Sequence, residues 1–273
     1  MNKVYTLQKH LSFITRYSGT TLTAGKLLTA FLVGFLPKNR FQKLRQKEIE
    51  ISLKNIHRST FRIFLRRCDY FILYEIFGLD IYRTFVEQIP SDGTILDLGG
   101  HIGLASLYIR AHCDNPIEVY EPSVHNSSLL QQNIRDLPLI TLHRKAVSDH
   151  EGVMTLHIYP DTPSRNSLIP ESGSRKTITQ DTEVSSLDSI LSSIQHCAGI
   201  KFDIEGEEYN IFRASRKAQE VPLLIGELKG TEAEVREQFV PLFPNHTATL
   251  VEVTSSITTI TLTLPFAQRK QVD

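Results

Sequence analysis

The sequence predicts an α/β protein: a mostly parallel sheet ending in an antiparallel C-terminal hairpin, with a helical extension in front. Three observations predict it. From residue 94 onward, short apolar runs alternate with stretches of helical length. The first of these runs, TILDLGG (94–100), ends in glycines where a helix is due to begin. The last two runs, near 247–253 and 258–264, are separated only by a short Thr/Ser turn, which suits a hairpin at one sheet edge.

Taken in order, residues 1–60 show helical periodicity with few turn signals and read as two or three helices. Residues 61–88 read as a strand and then a helix, closed by the turn Pro90-Ser91-Asp92-Gly93. Strands follow at 94–100, 117–122 and 140–148, with helices at 103–112 and 125–135. GVMTLHIY (152–159) alternates and reads as an added antiparallel strand. The stretch 160–183 is rich in Ser, Thr, Pro and Arg and reads as a loop, and 184–194 as a helix. Strands at 199–206 and 222–228 flank a helix at 207–215, and another helix is expected near 231–239. Apolar strands alternating with helices mean a sheet covered on both faces. The expected division is 1–60 as a basic helical extension and 61–273 as one domain.

Composition narrows the class. A hydrophobic share of 41% is that of an ordinary globular chain and excludes disorder as the default. The net charge of zero conceals an asymmetry: residues 1–67 carry fourteen Lys/Arg against Glu48 and Glu50 alone, a net of +12. A basic front end fits lipid headgroups, nucleic acid or the chain's own acidic remainder, the last being the plainest reading. Cys68, Cys113 and Cys197 are scattered and odd in number, so they read as free thiols in a reducing, cytoplasmic compartment. The apolar run 27–37 falls well short of the roughly 20 residues a membrane span needs. It reads as a core helix or an interfacial one.

The most informative segment is Asp97-Leu98-Gly99-Gly100-His101-Ile102-Gly103. Gly99 and Gly100 let the backbone turn tightly and come close to a ligand, and Gly103 lets the next helix pack against the strand. In an open α/β sheet this is the crevice where ligands bind. A dinucleotide would bring a pyrophosphate, which wants bare N–H groups and no nearby acid. S-adenosylmethionine brings an ammonium and a sulfonium, which tolerate carboxylates. Asp97 two residues before the first glycine, and a spacing that is not G-x-G-x-x-G, favour S-adenosylmethionine. Glu121, at the end of the second strand, is placed to take both ribose hydroxyls. Asp203, in the strand exit KFDIEG (201–206), falls at the switch point beside the first strand and faces the acceptor or the methionine end of the cofactor, while Glu205 either joins it there or caps the next helix.

With these segments placed, the chain resembles the FkbM-type methyltransferase family. The likeness is carried by ILDLGGHIGLASLYI (95–109), VYEP with Asn126, KAVSDHEG (145–152), VSSLDSIL (184–191), IKFDIEGEEYNIF (200–212) and LIGEL (224–228). It covers roughly residues 60–230 and implies a Rossmann-like class I methyltransferase with a mostly parallel seven-stranded sheet, S-adenosylmethionine as donor and, usually, transfer to oxygen. It implies cofactor contacts for Asp97, Gly99, Gly103 and Glu121, and a place near the adenine for Ser148. Gly100-His101 stands where the family usually has Ala-Asn, so this chain's loop has its own hydrogen bonding; His101 remains a cofactor-loop residue. An Arg and an Asp recur before the family's glycine loop, matched here by Arg66 or Arg67 and by Asp69, the latter counted among the cofactor-binding residues.

Methyl transfer to oxygen is an in-line displacement that needs collinear reacting atoms and a base for the hydroxyl proton. Asp203 and Glu205 are the first candidates for the base, followed by Glu227 and His101. A carboxylate cluster of Asp203, Glu205 and Glu227 is also a conceivable Mg²⁺ site, but no metal is expected. The N/D-P-P-Y type signature of amino-group methylation is absent after the fourth strand, where DIEG stands. The expected acceptor is a sugar, glycan or natural-product hydroxyl. No stacking platform or RNA module suggests nucleic acid. Residues 1–60 are read as a peripheral contact with the inner membrane face if they touch a membrane at all. A nicotinamide-dependent oxidoreductase and a non-catalytic S-adenosylmethionine-binding module remain the rival readings.

Overall fold

The computed structural model describes residues 3–38, 40–56, 59–170 and 177–265. Helices α1 (Lys3–Tyr17), α2 (Thr21–Gly34) and the single turn α3 (Gln42–Arg45) open the chain. A hairpin follows, β1 (Glu48–Ile56) and β2 (Ser59–Arg66), then α4 (Tyr70–Gly78) and α5 (Arg83–Gln88). The α/β run comprises β3 (Thr94–Leu98), α6 (Leu104–His112), β4 (Ile117–Tyr120), α7 (Val124–Ile134), β5 (Ile140–His143), β6 (Ala146–Ser148), β7 (Gly152–Ile158) and β8 (Ile178–Ser186). It closes with α8 (Leu187–Ser193), β9 (Cys197–Phe202), α9 (Glu208–Ala214), β10 (Leu223–Lys229), α10 (Glu232–Gln238), β11 (Thr247–Thr254) and β12 (Ile257–Thr263).

The central sheet has seven strands in the order β11-β12-β10-β9-β3-β4-β5. β12 runs antiparallel to both of its neighbours, and the other neighbouring pairs are parallel. This is the expected sheet, hairpin included. The order reverses between β3 and β9, so their carboxyl ends form the switch-point crevice. Both strands are buried along almost their whole length, as strands covered on two faces must be.

Four local expectations are corrected. Residues 48–56 are a strand rather than helix: Ile49, Ile51 and Leu53 alternate with Glu48, Glu50, Ser52 and Lys54, a period of two. Their partners Leu65, Ile63 and Phe61 on β2 put the apolar side chains on one face. This hairpin therefore runs across the boundary expected at residue 60. The run 140–148 is broken at Arg144-Lys145; β5 stays in the central sheet, while β6 leaves it to pair with β8. Residues 178–186, expected within a loop and the start of a helix, form β8, antiparallel to β7. Their inward side chains, Thr182 and Val184, carry only a weak apolar signal, so the strand leaves little trace in the sequence. β7 correspondingly belongs to a separate three-stranded sheet, β6-β8-β7. Helix α8 starts only at Leu187, where the Ser186 hydroxyl accepts a hydrogen bond from the Ser189 N–H.

The front helices are built into the fold. Phe13 and Ile14 of α1 and Leu27, Ala30 and Phe31 of α2 share one buried cluster with the hairpin, α4, α6 and β3. Phe31 packs against Tyr70, Phe71 and His10. Among the described residues no helix is long and apolar enough to cross a membrane. Phe31→Ala should therefore cost about 3–5 kcal/mol of stability, whereas Leu22→Ala, at a residue 67% exposed, should stay within about 0.5 kcal/mol. Urea unfolding of the two variants measures the difference.

Candidate active site

The turn after β3 is held from below by a buried ion pair. Asp97 and Lys201 stand opposite each other in the β3–β9 register, with Lys201 Nζ 2.9 Å from Asp97 Oδ1. The Ser106 hydroxyl donates to Asp97 Oδ2 at 2.5 Å. Lys201 Nζ also donates to the Gly99 carbonyl at 2.8 Å. Burial pulls Lys201 toward the neutral form, but Asp97, with Tyr82 and Asp203, outweighs it and raises its pKa. Asp97 is thus sealed beneath the turn at 0% exposure, off the cavity wall. Asp97, expected among the cofactor-binding residues, lies beneath the loop, where it pairs with Lys201 and accepts from Ser106.

Above the pair, Gly99 has φ of +82°, and a Cβ there would lie 1.9 Å from the Asp203 carbonyl oxygen. Only glycine lets the two strand ends approach so closely. Gly103 (φ +86°) caps α6 and packs against Leu130 of α7. Gly99, Gly100 and His101 line an open cavity of about 1200 Å³, mouth included.

Glu121 also lines it, at 5% exposure. Its carboxylate accepts from the His101 N–H at 2.8 Å and the Ser123 N–H at 2.9 Å. Burial pushes its pKa up to about 7 despite these bonds. Asn126 of α7 donates to it at 3.4 Å.

Asp69 takes a different place from the one expected. It is 1% exposed, lies away from the cavity wall and receives Arg66: Nε at 2.8 Å and the backbone N–H at 2.9 Å, both to Oδ2. Arg66 in turn donates to Asn126 Oδ1 at 2.9 Å and meets His101 Nε2 at 2.8 Å. Burial, reinforced by Arg66, lowers the His101 pKa to about 4, though Asp69 opposes it. His101 is therefore neutral, accepts from Arg66 through Nε2 and is poorly suited to act as a base. Of the two arginines left open by sequence, Arg66 makes the pairing. Ser148 is 1% exposed and bonds Asp149 Oδ1 at 3.2 Å; its neighbours Ala146 and Val147 reach the cavity instead.

At the other end of the cavity, carboxylates gather. Asp203, Glu205, Glu227 and Glu75 all line it. Burial, then repulsion from Asp203, raises Glu205 to about 7, with Lys229 opposing. Burial and the charges of Asp203, Glu75 and Glu205 raise Glu227 to about 8. Asp203 is raised by burial against the pull of Lys201. Glu208 pins the turn by accepting from the N–H groups of Ile204 (3.1 Å) and Gly206 (2.8 Å). Glu205 sits at φ +63° within it. Ser164, Asn166, Ser167 and Leu168 of the loop after β7 form the facing wall, tied down by Ser167 Oγ donating to the Glu205 carbonyl at 2.8 Å. Among the described residues no group of three His, Cys, Asp or Glu has metal-ligand geometry. Sequence reasoning overlooked Glu75, Tyr82 and Lys201 as site residues. For Lys201 the signal was available: a lone lysine inside the apolar strand GIKF.

A seven-stranded sheet with its one reversed strand next to the edge, and a glycine turn at the switch point facing a strand-end acid, define a class I methyltransferase. The chain belongs to the FkbM methyltransferase family: the model of the methyltransferase FkbM domain matches residues 97–253, more than half of it. Its cofactor is S-adenosylmethionine. Methyltransferase 1 of Beauveria bassiana is 27% identical over 170 residues, 60% of this chain and 65% of that protein. The 31-O-demethyl-FK506 methyltransferase FkbM of Streptomyces tacrolimicus is 31% identical over 113 residues, 40% of this chain and 42% of that one. The chain thus spans under two thirds of these relatives. An rRNA methylase from Streptococcus thermophilus aligns over 68% of this chain and 94% of its own, at 10% identity and a TM-score of 0.43.

Removing Lys201 strands a buried carboxylate under the loop. Lys201→Ala should lose about 3–5 kcal/mol, and pairing Lys201→Met with Asp97→Asn should recover much of it; denaturant midpoints of the single and double variants check this.

Proposed function

We propose that this methyltransferase acts on a hydroxyl oxygen of a small molecule or glycan, in a reducing cytoplasmic setting. The observation that carries the reading is the carboxylate group at the acceptor end of the cavity, around the DIEG turn. Carboxylates there suit a hydroxyl proton that must leave and sugar-like hydroxyls that must be held. The three cysteines are free thiols, which agrees with the compartment.

When bound, S-adenosylmethionine supplies an electrophilic methyl group on a sulfonium. The residues present fit it. Glu121 retains lone pairs on both oxygens for the two ribose hydroxyls. Gly99, Gly100 and His101 form the wall along the adenosine and methionine portions, and Ala146 and Val147 offer an apolar side for the base. Asp203, next to Gly99, favours a positive charge. Asp97 and Asp69 act through others, the first by fixing the turn with Lys201 and the second by aiming Arg66 at His101.

Glu205 is the residue we assign to take the acceptor's proton, with burial and then Asp203 raising its affinity for it. A base poised near neutrality performs this best. The front of the chain, the helices α1 to α3 and the hairpin that follows, is assigned to partner or acceptor selection rather than to transfer.

Incubating the protein with methyl-labelled S-adenosylmethionine and a panel of hydroxyl and amino acceptors tests the reading. Methyl ethers are the expected product; label confined to amines would overturn it. Glu205 serves as a base only when ionised, so kcat should be half-maximal near pH 7, rise to its plateau well above it and decline below it. Glu205→Gln should lower kcat by about 10²–10⁴, flatten that acid limb and leave cofactor affinity intact. Glu121→Ala should instead weaken S-adenosylmethionine binding by tenfold or more, as read by calorimetry.

A further inference from the structure

Helix α2 buries one face and leaves an apolar stripe on another. Leu27, Ala30 and Phe31 are buried, while Leu28, Leu32 and Phe35 are 38%, 56% and 67% exposed. The three exposed residues follow i, i+4, i+7 spacing and so line up along the helix. Their surroundings are basic. Residues 1–47 contain nine Lys/Arg and no Asp or Glu. Lys38, Arg40, Lys43 and Lys47, just past the end of α2, are exposed.

The stripe leads to the cavity. The Phe35 ring lies 5.9 Å from that of Phe71 on α4. The next residue, Ile72, lines the cavity, as does exposed Ile81 beyond the end of α4. α4 thus carries apolar side chains toward both α2 and the cavity, with exposed Glu75, one turn after Ile72, as its one charged residue.

We propose that this face seats the protein on an anionic lipid bilayer, with Leu28, Leu32 and Phe35 entering the headgroup boundary and Lys38, Arg40, Lys43 and Lys47 meeting lipid phosphates. Apolar side chains bordered by cations match an anionic bilayer in both charge and polarity. A nucleic acid would leave the leucines without a partner. At 14 residues α2 lies in the plane of the interface and does not span it. In this pose the cavity mouth is next to the membrane, within reach of an acceptor carried by it. The inference goes beyond the transfer to oxygen and holds whichever atom is methylated.

Flotation of the full chain with vesicles tests it without any turnover. The protein should float with phosphatidylcholine mixed with phosphatidylglycerol, far less with phosphatidylcholine alone, and less at high salt. The double variant Leu28→Glu/Leu32→Glu should bind the mixed vesicles on the order of tenfold more weakly. Lys43→Glu/Lys47→Glu should weaken binding too, and Val251→Glu, at an exposed apolar site on β11, should not. Unchanged thermal midpoints show that the variants are folded. Absence of flotation on the mixed vesicles, wild-type flotation by the leucine variant, or displacement of vesicles by an RNA oligonucleotide that binds the same basic residues would each overturn the proposal.

Discussion

The Lys201–Asp97 ion pair is the constraint on which the site depends. It joins the two strands where the sheet order reverses, and through the Gly99 carbonyl it also fixes the turn that the cofactor must meet. Placing two charges in a dry sheet costs several kcal/mol for each ion before their attraction is counted. The pair persists because the remaining polar atoms are used: Ser106 serves the second carboxylate oxygen, and backbone carbonyls serve the ammonium. The result is a rigid floor under a ligand site, which suits a reaction that requires collinear atoms.

A second network ties the front of the chain to that floor. Arg66, at the end of β2, connects Asp69, Asn126 and His101, and Asn126 and the His101 N–H both reach Glu121. The strand-end acid Glu121, which lines the cavity, is therefore positioned in part by a residue outside the α/β run. The hairpin is also anchored through Asn133 of α7, which bonds both the N–H and the carbonyl of Phe64. The front of the chain is integral to the site rather than an appendage to it.

Charge is arranged unevenly along the cavity. Around the glycine turn Asp97 is matched by Lys201 and Asp69 by Arg66, while Glu121 is held by N–H donors. Around the DIEG turn burial raises Asp203, Glu205, Glu227 and Glu75, and the charge of Asp203 adds to it for the three glutamates, with Lys229 3.6 Å from Glu205 as partial relief. A cation entering this region replaces repulsion with attraction. Asp203 and the groups around it thereby favour a sulfonium donor over an anionic dinucleotide.

The sequence by itself determined the sheet, its reversed strand, the glycine turn and the acids at the ends of β4 and β9, because these features repeat locally: apolar runs of strand length, glycines at the hand-over, a carboxylate at the exit. Even the misread strand β1 carried its period of two in Ile49, Ile51 and Leu53, hidden behind the helical pattern that precedes it. Only the tertiary structure decided what each acid touches. Asp97, Asp69 and Glu121 look alike in the chain, yet two are neutralised by cations 104 residues ahead and three residues behind, while the third faces the cavity. Whether a carboxylate is structural or faces a ligand depends on which distant side chain reaches it first, and that is a property of packing, which no local pattern encodes.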